Sequence, residues 1–258
     1  MLIGAQLYTV RDFTQNEKDF DETIKKVKEI GYSCVQVSGI GDIKAEKIKE
    51  ICDKYEIKNI ITHTRPDRVL NDIDNVIAEH KIMEAGYIGI GGLPNEYRAN
   101  ADALKKFTAD YGPIAKKIAD AGMKFMYHNH HWEFEKIDGK LIIDHLADSF
   151  PKELMGITLD TYWVQAGGGD SAYYLKKFAG RVDCIHFKDM IIFRGAEGNV
   201  IQAMSPILEG NLNWPAIFDA CKEAGVKYAF VEQDDSYVHD PFGCLEISYN
   251  NLKKQGFK

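Results

Sequence analysis

Five cysteines are spread over 258 residues, and none forms a CxxC pair. Neither a zinc ribbon nor a redox-active dithiol is indicated. Cys34, Cys52, Cys184, Cys221 and Cys244 lie mostly in apolar patterns, where a thiol packs as a small hydrophobe, and this usage suits a reducing cytoplasm. Long apolar runs are missing as well. Met1 leads straight into LIGAQLYTV without a charged leader, so neither a signal peptide nor a membrane span is expected. Clustered positive charge is absent from a chain whose formal net charge is −7, which argues against nucleic-acid binding. IGIGGLP lacks the GxGxxG spacing of a dinucleotide site, AGGGD (Ala166 to Asp170) lacks a P-loop lysine, and no GxSxG elbow occurs. Linkers and low-complexity segments are also missing, so nothing divides the chain.

What remains is an ordinary globular composition, 45% hydrophobic and 28% charged, arranged as alternating strand and helix signals. LIGAQLYT, SCVQVSG, KNIITH, YIGIGG, KFMYHN, GITLD, CIHFKD and YAFVEQ read as strands, and each is followed by a helical pattern. The clearest helix is NWPAIFDACKEAG, with Pro215 in its first turn and Gly225 as its stop. The strands are near-continuous apolar runs rather than strict alternations, as expected of a parallel sheet covered by helices. Eight βα units in this length predict an α/β fold, a single-domain (β/α)8 TIM barrel over residues 1–258. The longest loop expected is Met190 to Gly210, a length more often functional than idle.

Four runs in the second half end in residues able to bind a metal. Asp160 closes GITLD, His186 follows VDCI, Glu232 follows AFV, and the YHNHHWEF segment supplies further histidines and Glu133. A strand-end Asp alone is as readily a helix cap, and a lone His a satisfied core residue. Three such residues on consecutive strands of a barrel converge on one mouth. Carboxylates and imidazoles without a thiolate suit an open site for a divalent ion, with Mn2+ foremost and Co2+, Mg2+ or Zn2+ also compatible. Tyr127, Trp132 and Phe134 place aromatic faces beside His128, His130 and His131, a combination suited to a sugar ring. Gln6, Tyr8, Gln36 and His63 lie at or near the first three strand ends and are expected to line the same mouth. Lys188 and Asp189 form a polar pair after His186, and Lys188 and Arg194 are candidate anion binders.

GAQLYTVR, YHNHHWEF, LDTYW, HFKDM and VEQDD together resemble the xylose isomerase-like TIM barrels, the sugar phosphate isomerase/epimerase superfamily. The resemblance spans essentially the whole chain. It implies a divalent metal held by Asp160, His186, Glu232 and a fourth ligand from the fifth strand, where many members carry a Glu and this chain has His128. Glu133, reaching back from the loop, is preferred for that corner because it keeps the ligand acidic, with His128 as the other choice. Two metal-bound glutamates, here Glu133 and Glu232, would remove and return a proton beside the carbonyl of a keto sugar. Without Glu133, one-base chemistry follows, with a His such as His128 or with Lys188 as the acid, fitting an isomerase or an elimination. Implied substrate contacts come from Gln6, Tyr8, His63, His130, Trp132 and Arg194. The expected partner is a small-molecule sugar, with no nucleic acid or membrane, and a homo-oligomer is compatible with it. The alternatives are a lyase or dehydratase on a keto sugar, inosose or C-glycoside, and a sugar-binding barrel without catalysis.

Overall fold

The structure, a computed structural model, describes residues 1–237 and 239–257. Eight parallel strands close into a barrel: β1 (Leu2–Gln6), β2 (Cys34–Val37), β3 (Lys58–His63), β4 (Tyr87–Ile90), β5 (Lys124–His128), β6 (Met155–Asp160), β7 (Cys184–Phe187) and β8 (Tyr228–Val231). Closure is made by β8 against β1, with Leu2 opposite Tyr228 and Ala5 opposite Val231. Among the described residues no helix is long and apolar enough to cross a membrane.

Helices surround the barrel: α1 (Glu17–Ile30), α2 (Ala45–Lys54), α3 (Pro66–Asn71), α4 (Ile73–Ile82), α5 (Ala101–Asp120), α6 (Ile142–Ser149), α7 (Thr161–Ala166), α8 (Ser171–Lys177), α9 (Trp214–Ala224) and α10 (Pro241–Lys254). The end signals of α9 behave as expected: the Asn213 side chain caps its start, and Gly225 ends it in the left-handed conformation at φ 76°. Two departures from the expected pattern matter for the mouth. The first strand stops at Gln6, and Leu7–Phe13 turns into a 3-10 helix. The stretch expected as the loop Met190 to Gly210 is largely a β-hairpin, Asp189–Arg194 paired with Val200–Ser205. Its base is tied by Asp189, which points away from the barrel axis and accepts bonds from the amides of Met190, Leu208 and Gly210 and from Trp214 Nε1 at 2.7 Å.

Strand alternation decides which residues face the barrel axis. Cys34, Ile61, Met126, Cys184 and Phe230 meet as one buried plug inside the barrel. Gly156 makes room for it, since a Cβ there would sit 2.5 Å from Met126 Sδ. Two residues further along each strand come Gln36, His63, His128, His186 and Glu232, so the floor of the site is the layer directly above the plug. The opposite end of the barrel serves stability. Asp183, just before β7, is paired with Lys124 at 2.7 Å and Lys227 at 2.7 Å. Burial opposes its ionisation, yet the two lysines hold its carboxyl below the usual carboxylate range. That contribution is present above the unfolded-state pKa of about 3.9 and is lost as pH falls through the lowered folded value. Asp183→Asn should therefore cost about 1–2 kcal/mol in urea unfolding at pH 7, with the gap from the parent closing towards pH 3.

Candidate active site

β6 and β7 set Asp160 directly opposite His186 in register. On the other side, β8 carries its chain past Val231 so that Glu232 accepts no turn of helix and stays at the strand end. One atom each from His128, Asp160, His186 and Glu232 fall within 4.8 Å of one another, and all four residues are buried. His186 Nδ1 lies 2.8 Å from Glu232 Oε2 and 3.7 Å from Asp160 Oδ2, and His128 Nε2 lies 3.3 Å from Asp160 Oδ2. Asp160 fulfils two roles with two oxygens: Oδ1 caps α7 by accepting the Trp163 amide at 2.9 Å, which leaves Oδ2 for the cluster.

The donor set fits a divalent cation. His128 Nδ1 donates to the Gly91 carbonyl at 3.1 Å, and His186 Nε2 donates to Gln36 Oε1 at 2.7 Å. Each imidazole, when neutral, then turns a lone pair towards carboxylate oxygens, an arrangement that needs a cation or a proton between them. His186 Nδ1 makes no well-aligned hydrogen bond although Glu232 Oε2 lies 2.8 Å away. Burial alone would depress the His186 pKa, but Glu232 and Asp160 push it up to about 9, so a proton takes this place when no metal does. Asp160, Glu232 and Asp234 face one ammonium, Lys188, at 3.5, 3.2 and 2.9 Å. With neutral imidazoles two negative charges are left over, which a divalent ion would balance.

Above this floor lies a bowl of about 310 Å3, within the size range of small-molecule sites and lined by Tyr8, Ser38, His63, Arg65, His130, Lys188, Glu232 and Asp234 among others. Ser38, Arg65, His130, Lys188 and Asp234 each follow a floor residue by two positions, and Tyr8 follows Gln6 at the end of β1 in the same way, so the rim repeats the alternation of the strands beyond their ends. His63 stacks obliquely between His128 and His186, at ring distances of 5.0 and 5.4 Å. Burial, with the neighbouring His128, keeps His63 neutral by lowering its pKa well below the usual value, and brings His130 down to about 2. Gln6 Nε2, Gln36 Nε2, His63 Nε2 and His130 Nδ1 are buried without protein partners; His63 and His130 line the bowl and are available to a hydroxylated ligand, whereas Gln6 and Gln36 lie beneath its lining.

Lys188 is buried yet held firmly protonated: burial disfavours its charge, and Glu232, Asp160 and Asp234 outweigh that. Glu232 is the converse, its burial overcome by Lys188 and His186 so that it stays ionised. Asp234 is pushed up to about 6 by burial and by Glu232, against the pull of Lys188.

Three expectations need correction or relocation. Glu133 does not join the cluster; its carboxylate accepts from the Tyr127 hydroxyl and from the His130 amide at 2.7 Å. The reason is positional. Tyr127 points outward from β5 into the helix layer, and the 3-10 turn Trp132–Phe134 drops Glu133 beside it. His128, at the inward-facing end of β5, takes the fourth corner instead. Arg194 lies out on the hairpin, bonded to the Gly198 carbonyl at 3.1 Å, and is no part of the bowl. Trp132 lies beside the bowl rather than in it, lining a neighbouring groove. Asp234, Arg65 and Ser38 were not singled out from the sequence, although the two-residue step from Glu232, His63 and Gln36 marks each of them.

The family model for the xylose isomerase-like TIM barrel matches residues 24–243. No curated protein matches the chain. Among solved structures, a sugar phosphate isomerase/epimerase from Parabacteroides distasonis superposes with a TM-score of 0.81 at 21% identity, covering 98% of this chain and 97% of that one. A probable 3-DHS dehydratase from Bacillus anthracis gives 0.76 at 13% identity over 98% and 99% of the two chains. A D-allulose 3-epimerase from Methylomonas gives 0.71 at 11% identity over 99% and 98%. At these identities the likeness carries the fold, while the family-model match spans most of the sequence. The chain belongs to the xylose isomerase-like TIM barrel family.

Proposed function

We propose that this barrel removes a proton from the carbon beside a carbonyl in a keto sugar or sugar derivative, using one carboxylate base and a divalent metal. The supporting observation is the access of the two cluster carboxylates. Asp160 is wholly enclosed and occupied as a helix cap, whereas Glu232 is 5% exposed and lines the bowl. His128, Asp160, His186 and Glu232 would hold the ion. Once bound there, a divalent ion supplies Lewis-acid polarisation of the substrate carbonyl and fixes adjacent oxygens.

The chain's own groups account for the proton movements. Ionised Glu232 takes the proton from carbon. The Lys188 ammonium, oriented by Asp234, lies 3.2 Å from the same carboxylate and donates to the oxygen that gains negative charge. Neutral His63 and His130, which line the bowl, orient hydroxyl groups. Return of the proton by Glu232 to the former carbonyl carbon, while the neighbouring hydroxyl gives its proton back to Lys188 and becomes the new carbonyl, completes an isomerisation. For an elimination the enol proton returns to Lys188 as the carbonyl re-forms, a β-hydroxyl leaves as water with the Lys188 proton, and the proton held by Glu232, 3.2 Å away, restores the ammonium. A two-base epimerisation across both faces has lost its second carboxylate, because Glu133 is committed to Tyr127 and His130. The structures that share this fold include a sugar phosphate isomerase/epimerase and a probable dehydratase, in keeping with either outcome.

Incubation with ketoses, inososes and keto-glycosides in Mn2+ should give a product of unchanged mass for isomerisation or of mass reduced by water for elimination. A panel that yields neither overturns the reading. Metal dependence has its own readout. Mn2+ at about a hundredfold its Kd should stabilise the fold by about 2.7 kcal/mol, seen as a rise of several degrees in Tm. His186→Ala should abolish that rise, and a parent protein indifferent to Mn2+, Co2+, Mg2+ and Zn2+ would favour a sugar-binding barrel without catalysis.

A further inference from the structure

On the side of β3 and β4 the bowl adjoins a second space. Its wall there is made by Pro66, Gly91 and His130, and the same three residues form the near wall of a second groove of about 570 Å3. The groove runs outward between α3 and the loop after β4, and Leu70, Asn71, Pro94, Arg98 and Trp132 line it. Its floor is a layered stack: the His130 ring lies on Trp132 with centroids 4.1 Å apart and planes at 14°, and the Arg98 guanidinium lies 4.2 Å from the Trp132 centroid. Arg98 is held in this pose by its Nε, which donates to the Leu93 carbonyl at 2.6 Å, and no carboxylate pairs with it among the described residues.

Two further observations point to a ligand. His130 Nδ1 and Trp132 Nε1 are buried polar atoms without a protein partner, on two residues that line the groove. Gly92 lines the groove at φ +152°, and a Cβ there would sit 3.1 Å from His130 Nδ1. Any side chain there is both strained and obstructive.

We infer that this groove is a second subsite, and that the natural substrate carries two rings: a keto sugar in the bowl, and a hydroxylated ring joined to it lying in the groove. The inference rests on the sugar reading of the bowl. Planar faces of Arg98 and the neighbouring prolines suit the apolar face of a ring, and the free indole N–H and imidazole nitrogen suit its hydroxyls. The second ring is a further sugar or a phenolic group, which share this chemistry.

Calorimetry with matched sets of ligands tests it: a free keto-hexose, its phenyl glycoside and the corresponding disaccharide, each keeping the ketone, taken for the glucose, galactose and mannose series, with Mn2+ present. Two-ring members should bind on the order of tenfold tighter than the single ring of the same set. The tighter of the phenyl glycoside and the disaccharide identifies the class of the second ring. Arg98→Ala should bring that ratio close to unity while leaving the single-ring Kd unchanged. Asn71→Trp, which fills the groove from an exposed position on α3 and spares the core, should do the same. Equal affinity for one and two rings in the parent, or a ratio that both variants leave intact, overturns the second subsite while leaving the bowl's assignment standing. Failure of every single-ring and two-ring ligand to bind removes the sugar reading itself, and the subsite with it.

Discussion

Glu232→Gln is expected to lower turnover about 10^3-fold or more, measured at saturating Mn2+ so that weakened metal binding is not mistaken for a lost base. The amide keeps the shape of the side chain but cannot take a proton. It also keeps an oxygen for His186 Nδ1, now 2.8 Å from Glu232 Oε2. The fold should survive, because the plug of Cys34, Ile61, Met126, Cys184 and Phe230 beneath the site is untouched. A variant that retains parental turnover removes Glu232 from the proton transfer. Asp234 would then be the remaining carboxylate lining the bowl.

Lys188→Met should move two measurements in opposite directions. Turnover is expected to fall by about 10^2- to 10^4-fold, the usual range for loss of a positioned acid. Affinity for Mn2+ is expected to rise, since the ammonium lies 3.2 Å from Glu232 and 3.5 Å from Asp160 and competes for the oxygens a cation would use. Without an added metal the same variant should unfold more readily. Three buried or half-buried carboxylates would lose their shared counter-charge, an effect of about 3–5 kcal/mol where a buried pair is broken on one side. A merely structural lysine would show the last effect without the gain in metal affinity. An unchanged or weakened Mn2+ affinity would contradict the arrangement proposed here.

The barrel was legible in the sequence because both of its determinants are local. Apolar runs such as GITLD and YAFV set the strands, and stops such as Gly225 ended the helices where expected. Asp160, His186 and Glu232 were legible for the same reason, since a strand end in a barrel has only one mouth to face. Glu133 was misjudged because it lies outside the strand, where no alternation constrains it. Whether it reached the axis depended on the 3-10 turn and on Tyr127, and neither is encoded by spacing. His128 obeyed the alternation that places Met126 in the plug, and that parity was the usable signal. Asp234 followed the same rule from Glu232 and was passed over because it stands beyond the last apolar residue. The stretch Met190 to Gly210, with Arg194, Gly195, Glu209 and Gly210, carries a loop-like local pattern, yet Asp189–Arg194 pairs with Val200–Ser205 as a hairpin. Its base is fixed by the Asp189 contacts to Leu208, Gly210 and Trp214, which are long in sequence and invisible to a local pattern. The lateral groove depends on four separate segments meeting, so no single motif announces it.

Hydrogen–deuterium exchange at carbon tests the central claim most directly, because it registers proton removal even where no net product accumulates. A panel of ketoses, inososes and keto-glycosides in D2O, followed by NMR, should show deuterium entering the position beside the carbonyl of at least one member when Mn2+ is present. The exchange should stop when the metal is chelated and return when Mn2+ is restored. Exchange that persists undiminished after chelation, or a complete absence of exchange across the panel with Mn2+ bound, would contradict the account.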